Sequence, residues 1–294
     1  MNQTRIALRY LSVVLLALGC GIASADDAPP ESPDDLKTRL TALSPAEQCN
    51  WWAAGQKQAL AKLSDAHLTA ALQALESSAL FCPVRKWVDQ TSEYEFLMVR
   101  RERLKAGDEL PDPPERMLVR YRAEPRTLYA RWETGGARAG QEVMYDASKD
   151  GKKMLAHIGG MFGVVSMNIP IDGVMARAQS RHTVRDLGYG YILAQLDADL
   201  DRNRARNVPT RPNQVKVVRE GSKRYAELVY QNPSSPPYYG KQVKFWLDLR
   251  EPMIRLVEGR DNSGDVFEHI VFERVERKKL ADNVFDPKNP EYRF

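Results

Sequence analysis

With 294 residues, 43% of them hydrophobic and 28% charged, the chain has room for one large domain, or one with a small companion, and enough apolar material for a core. Eighteen Gly and 18 Pro exclude a fibrous or wholly disordered chain. Forty-three Lys and Arg against 39 Asp and Glu leave a net charge of +4, too balanced for the one-sided basic footprint of a nucleic-acid binder, so no nucleic-acid partner is expected.

Residues 1–25 read as an export signal. Arg5 and Arg9 precede the apolar run from Tyr10 to Leu18, and Ala23-Ser24-Ala25 offers a small-residue cleavage site, with the cut expected after Ala25. The run is shorter than the roughly 20 residues that span a bilayer, and no other apolar stretch of that length follows. A soluble periplasmic chain is therefore expected. Cleavage before a lipid-modified Cys20 is the rival reading, although Ala17-Leu18-Gly19 fits the Leu-small-small pattern poorly. Without the signal, 41 basic and 39 acidic residues remain, so charge does not choose the partner. Cys49 and Cys82 also remain, an even count in an oxidising compartment. A disulfide between them, worth about 3 to 4 kcal/mol in the chain-entropy account, is expected, with two buried thiols as the alternative.

Asp26 to Pro33 is a polar leader, and residues 26–89 read as a helical N-terminal segment. Ser44-Pro45-Ala46-Glu47 carries a capping box with Pro at the first helical position, and Leu68, Leu72 and Leu75 recur at helical spacing after Ser64-Asp65. Past Thr91 the period changes to two. Met117, Val119, Tyr121 and Ala123 alternate with Arg116, Leu118, Arg120 and Arg122, and strands follow near 127–133, 142–147 and 152–158. Helix is expected again at 172–178 and about 184–206, and strands return at 215–219, 225–230, 243–249, 253–260 and 266–276. This predicts an α+β fold over residues 90–294, in which about ten antiparallel strands surround a helical insertion. A sheet that long tends to curl, and a curled sheet either packs solid or leaves an apolar cavity of the kind that takes lipid-like ligands.

Signals for chemistry are sparse. Asp197-Ala198-Asp199-Leu200-Asp201 starts like a calcium loop but has Arg202 where the turn glycine belongs and Val208 where the closing Glu belongs. The histidines at 67, 157, 182 and 269 have no metal-ligand spacing, so a zinc site would have to be assembled from distant segments and no metal or other cofactor is predicted. Neither a Gly-x-Ser-x-Gly elbow nor a phosphate-cradling or dinucleotide glycine motif occurs, which argues against an enzyme. Arg100, Arg101 and Arg103 read as solvated strand ends. Trp132, Phe245, Leu247, Ile254 and Leu256 line a cavity or fill a core, and periodicity does not separate the two. Met161, Phe162, Met167, Ile169 and Ile171, next to Gly159, Gly160 and Gly163, read as a soft apolar lid on the insertion.

Val99-Arg100-Arg101-Glu102-Arg103, Gly140-Gln141-Glu142-Val143-Met144-Tyr145, Ser180-Arg181-His182-Thr183 with Gly188, and the ending Phe285 to Phe294 resemble the DUF1571 family of exported bacterial proteins over about two thirds of the chain. The second run of strands also resembles the closing part of the LolA/LolB-like half-barrel superfamily. That resemblance implies a curved antiparallel sheet with helices on its concave face, preceded here by the small N-terminal helical segment. It also implies a ligand, a lipid or acyl chain, held between sheet and helices. Arg181 and His182, in a family motif beside the insertion, contact a ligand head group or tie down the sheet edge. The expected ligand-binding set is thus Trp132, Met161, Phe162, Met167, Phe245, Leu247, Ile254, Arg181 and His182. The expected function is a non-enzymatic periplasmic carrier with transient membrane contact, the alternative being a sensor or assembly module that binds another envelope protein.

Overall fold

Ser32 accepts the Asp35 amide at 3.2 Å and Pro33 occupies the first helical position, which together start α1 (Pro33–Thr41). The computed structural model describes residues 31–56, 58–158, 165–235 and 237–294. The expected signal, residues 1–25, lies outside the described residues, as do Met161 and Phe162. α2 (Pro45–Gln56) starts at the expected capping box: Glu47 Oε2 accepts the Ser44 amide at 2.9 Å, and the Glu47 amide reaches Ser44 Oγ at 3.4 Å. After the single turn α3 (Ala59–Lys62), Ser64 caps α4 (Asp65–Ala74), and α5 (Ser77–Leu80) and α6 (Cys82–Asp89) complete the set. Buried Gln48 knits them: its Nε2 donates to the Leu40 and Ala74 carbonyls at 3.0 and 3.3 Å, and its Oε1 accepts the Glu76 amide at 2.8 Å. Cys49 of α2 and Cys82 of α6 form the disulfide, with Cα atoms 5.8 Å apart.

Eleven strands follow: β1 (Glu93–Glu102), β2 (Glu115–Arg122), β3 (Thr127–Trp132), β4 (Glu142–Asp146), β5 (Lys153–His157), β6 (Ser166–Pro170), β7 (Gln214–Glu220), β8 (Lys223–Gln231), β9 (Gln242–Asp248), β10 (Ile254–Arg260) and β11 (Val266–Arg277). They form one open antiparallel sheet in the order β6-β5-β4-β3-β2-β1-β11-β10-β9-β8-β7. The chain walks outward from β1 to one edge at β6, crosses, and walks inward from the other edge, so its first and last strands pair in the middle. Between the two edges lie α7 (Val174–Arg177), a 3-10 turn at Val184–Asp186, and α8 (Tyr189–Ala205). Irregular pairing at Leu97/Met98, Ile254/Leu256 and Gly259/Arg260 breaks the ladder where strands bend most readily.

One face of the sheet is covered by helices from both ends of this path. Phe81, at the junction of α5 and α6, meets Phe245 of β9 edge to face with ring centroids 5.1 Å apart, and Trp87 of α6 packs against Tyr94 of β1 and Tyr189 of α8. Phe81, Phe96, Val119, Leu128 and Ala130 are fully buried in this shared core. The N-terminal helices therefore lie in the same core as the sheet. The opposite face is covered over β3 and β4 by the C-terminal residues: Tyr129 stacks on Tyr292 at 3.9 Å, joined by Met144, Leu280 and Phe285. The family-motif ending thus has a packing role.

The fold is the expected α+β one, with two local corrections. Residues 166–170, including Met167 and Ile169, form edge strand β6 paired to β5 where a soft apolar lid on the helical insertion was expected, because their alternating pattern finds a free sheet edge. The long helix starts at Tyr189 and not near Val184, since Gly188 has φ +106° and any Cβ there would sit 2.5 Å from the Tyr94 hydroxyl.

Two outcomes follow from the shared core and its staple. Phe81→Ala should cost about 3 to 5 kcal/mol in urea denaturation, and an unchanged midpoint would show that helices and sheet are not one cooperative unit. Peptide mass mapping under thiol-alkylating conditions should find neither Cys49 nor Cys82 labelled in the unreduced protein, and reduction should lower stability by about 3 to 4 kcal/mol.

Candidate functional site

The helix-covered face is not filled evenly. α8 presents Ile192, Leu196 and Leu200 toward Met98, Phe245, Val257 and Phe272 of the sheet, and between them lies a narrow hollow, partly open to solvent. A second hollow, also partly open, lies between the β2–β6 half of the sheet and the α7 turn, lined by Trp132, Met154, Met167, Ile169 and Met175. Arg100, His182 and Leu187 border both. The two apolar compartments therefore adjoin at one polar seam.

The seam is built where β1, β2 and β11 run side by side. On β1, Phe96 and Met98 point into the core, and the same parity carries Arg100 and Glu102 inward, 4% and 6% exposed. Arg100 donates through Nε at 3.0 Å and Nη2 at 2.7 Å to Glu115 Oε2, reaches Ser180 Oγ at 3.2 Å, and lies 3.0 Å from Glu102 Oε1. Arg138 also pairs with Glu115 and lies over the Trp132 ring at 5.2 Å. Burial and the neighbouring Arg100 charge push the Arg138 guanidinium down to about 10. Burial raises the Glu102 carboxyl, but Arg100, Ser180 and the Arg181 amide outweigh it and hold the group below the usual carboxylate value.

The loop that carries Ser180-Arg181-His182-Thr183 is tied to these strands. The Arg181 amide donates to Glu102 Oε2 at 3.0 Å, and His182 Nε2 lies 2.8 Å from Glu268 Oε1. Deeper along α8, Asp199 is buried and accepts the Tyr239 amide at 3.2 Å and Asn232 Nδ2 at 3.3 Å; desolvation pushes its carboxyl up to about 6.

Of the residues expected to bind ligand, Trp132 and Met167 line the second compartment, Phe245 the first, and His182 both. Leu247 and Ile254, 1% and 0% exposed, sit in the packed core, where the Ile254 carbonyl accepts the Tyr189 hydroxyl at 2.7 Å. Arg181 points elsewhere, its guanidinium 4.5 Å over the Phe267 ring. Arg100 and Arg103 are not solvated strand ends: both are buried, Arg103 pairing with Asp261. Sequence reasoning missed Arg100, Glu102, Glu115, Arg138 and Glu268. The available signal was parity, since Arg100 and Glu102 continue the inward series of Phe96 and Met98. Among the described residues Glu102, His182 and Glu268 also bring their ligand atoms within 4.8 Å of one another, a grouping that no local spacing announces.

The family model described as "Protein of unknown function (DUF1571)" matches residues 91–294. No curated protein matches the sequence. Similar solved structures include an uncharacterized conserved protein from Thermus thermophilus, 9% identical with a TM-score of 0.40, covering 71% of this chain and 91% of that one. A LolA superfamily protein from Nitrosomonas europaea is 8% identical with a TM-score of 0.32, covering 72% and 97%. The Pseudomonas aeruginosa MucA/MucB complex contributes a chain 10% identical with a TM-score of 0.34, covering 69% of this chain and 60% of that one. Since the family match spans well over half of the sequence and includes all the strands and the loop that build the seam, the chain belongs to the DUF1571 family.

Proposed function

We propose that the chain is a non-enzymatic periplasmic binding protein that holds an acyl chain or a comparable apolar ligand between α8 and the sheet. One observation carries this reading: a partly open hollow between α8 and β1, β9, β10 and β11 is walled mainly by apolar side chains, among them Met98, Leu196, Phe245, Val257 and Phe272, with a few polar groups at one end, the kind of lining usual for ligand sites. The second compartment extends the apolar surface, and its Met117, Met154, Met167 and Met175 side chains adapt to irregular shapes. Around that compartment, Ile158, Val165, Val174 and Met175 are exposed, Val174 at 87%. Such a rim fits transient contact with a membrane or with a protein that delivers the ligand.

Burial of an acyl chain contributes about 0.8 kcal/mol per CH₂. A bilayer offers the same gain, so extraction from a membrane needs a donor protein. No helix among the described residues is long and apolar enough to cross a membrane. The second reading, a module that binds an envelope protein, has its own support: among the described residues β6 and β7 end the sheet with no strand beside them, and an unpaired edge accepts an added strand.

Organic extraction of the mature chain purified from its native host, followed by mass spectrometry, should yield stoichiometric lipid. Titration with a fluorescent long-chain fatty acid should give saturable binding that Leu196→Trp, by filling the first compartment, weakens about tenfold or more with the circular dichroism unchanged. Equal affinity in the variant, or no lipid and no probe binding together with capture of one envelope protein, would replace the carrier by the protein-binding module.

A further inference from the structure

Glu102 and Glu268 are register partners on adjacent strands β1 and β11, both facing the helices and 6% and 1% exposed. Like charges placed directly opposite on paired strands destabilise a sheet, and burial makes each more costly. His182 closes the third side, with its side chain 11% exposed and Nε2 2.8 Å from Glu268 Oε1. All three ligand atoms lie within 4.8 Å of one another.

The surrounding charges leave this corner negative. Across the seam, Glu102, Glu115 and Glu268 face the guanidiniums of Arg100 and Arg138, and both guanidiniums are paired with Glu115. Glu102 Oε1 has Arg100 at ion-pair distance but accepts no hydrogen bond, although the side chain is only 3% exposed. With a neutral imidazole, one buried negative charge has no counterpart, and it sits among atoms that serve as metal donors.

We propose that Glu102, His182 and Glu268 form a binding site for a divalent transition-metal ion of the zinc or manganese type. One imidazole and two carboxylates suit these ions, whereas calcium and magnesium favour all-oxygen sets. Tetrahedral zinc with bonds near 2.0–2.1 Å needs donor atoms about 3.3 Å apart, so the triad closes with side-chain movements of roughly 1 Å. Three protein ligands leave a coordination position open. His182 and Glu268 border the first compartment, so that position faces the space between α8 and the sheet, and an oxygen-bearing group of a bound molecule can reach it. Arg100, 3.0 Å from Glu102, orients that carboxylate from outside the triad. The inference does not depend on the carrier reading, because the metal is tested alone.

The test uses the untagged mature chain, stripped with chelator and dialysed against Zn²⁺, Mn²⁺ or Co²⁺. One bound metal ion per chain is expected, with a visible absorption band for the Co²⁺ form. Glu102→Gln and Glu268→Gln should each weaken binding at least about tenfold, a loss typical even of outer-shell partners. His269→Ala, on the opposite face beside Glu258, should leave binding unchanged. Should a glutamine variant fail to fold, the imidazole ¹⁵N resonances of His182 in the unaltered chain decide, since they must shift on Zn²⁺ addition. A folded chain with no stoichiometric metal, unshifted His182 resonances, or folded glutamine variants that bind as well as the parent would each overturn the site.

Discussion

An antiparallel sheet of eleven strands that does not close on itself has one broad, mainly apolar face to cover, and both sets of helices answer that demand. Ten spacings of about 4.8 Å make a sheet roughly 48 Å wide along its surface, while the 17 residues of α8 reach only about 26 Å. The crossover from β6 to β7 must pass over this face, yet its one long helix is too short to blanket it. The N-terminal helices supply part of the remainder, Phe81 and Trp87 docking beside α8. What neither set reaches becomes the two apolar compartments. The cavity is thus a consequence of topology, and beside it Arg85 of α6 ties α8 to the N-terminal layer through Asp197 at 2.5 Å.

The charged seam is harder to explain by stability. Its side chains occupy positions where parity alone would favour Leu or Val, and ion pairs at such depth gain little over well-packed apolar residues of the same volume. Arg100, Glu102, Glu115 and Glu268 also stand where the two halves of the sheet meet, beside the loop that leads into α8. Of the polar groups at the seam, Arg100 and His182 border both compartments. The seam therefore gives the hollow an orientation that an all-apolar wall lacks.

Alternation told which residues of 243–249 face inward, but it does not say what covers them. Phe245 reaches the open compartment while Leu247, two residues along the same face, is packed solid and Ile254 next to it is pinned by Tyr189. The distinction depends on where α8 begins, and that is set by Gly188 against Tyr94, a contact between residues far apart in sequence. The capping box at Ser44 and the Cys49–Cys82 pair were legible because their determinants are local or forced by count. Arg100 was misread for the opposite reason: charge suggested solvent, although the Phe96-x-Met98-x-Arg100-x-Glu102 series placed it inside. Glu268 lay beyond any sequence argument, since its neighbours Glu102 and His182 come from other segments.

The family match begins at residue 91, whereas the layer over the inner face draws on residues before it. Remove α5 and α6 and Phe245 loses the ring of Phe81, Tyr94 loses Trp87, and Tyr230 loses its hydrogen-bond partner Ser77 at 2.8 Å. The β8–β9 part of the sheet would then expose aromatic side chains that are under 5% accessible in the intact chain. A domain limited to the matched region must cover that surface by other means, with a different N-terminal segment, a second chain or the ligand itself. In this chain the disulfide links α2 to α6 within that cover. The helices that the family match omits therefore help decide how much of the inner face is left for a ligand.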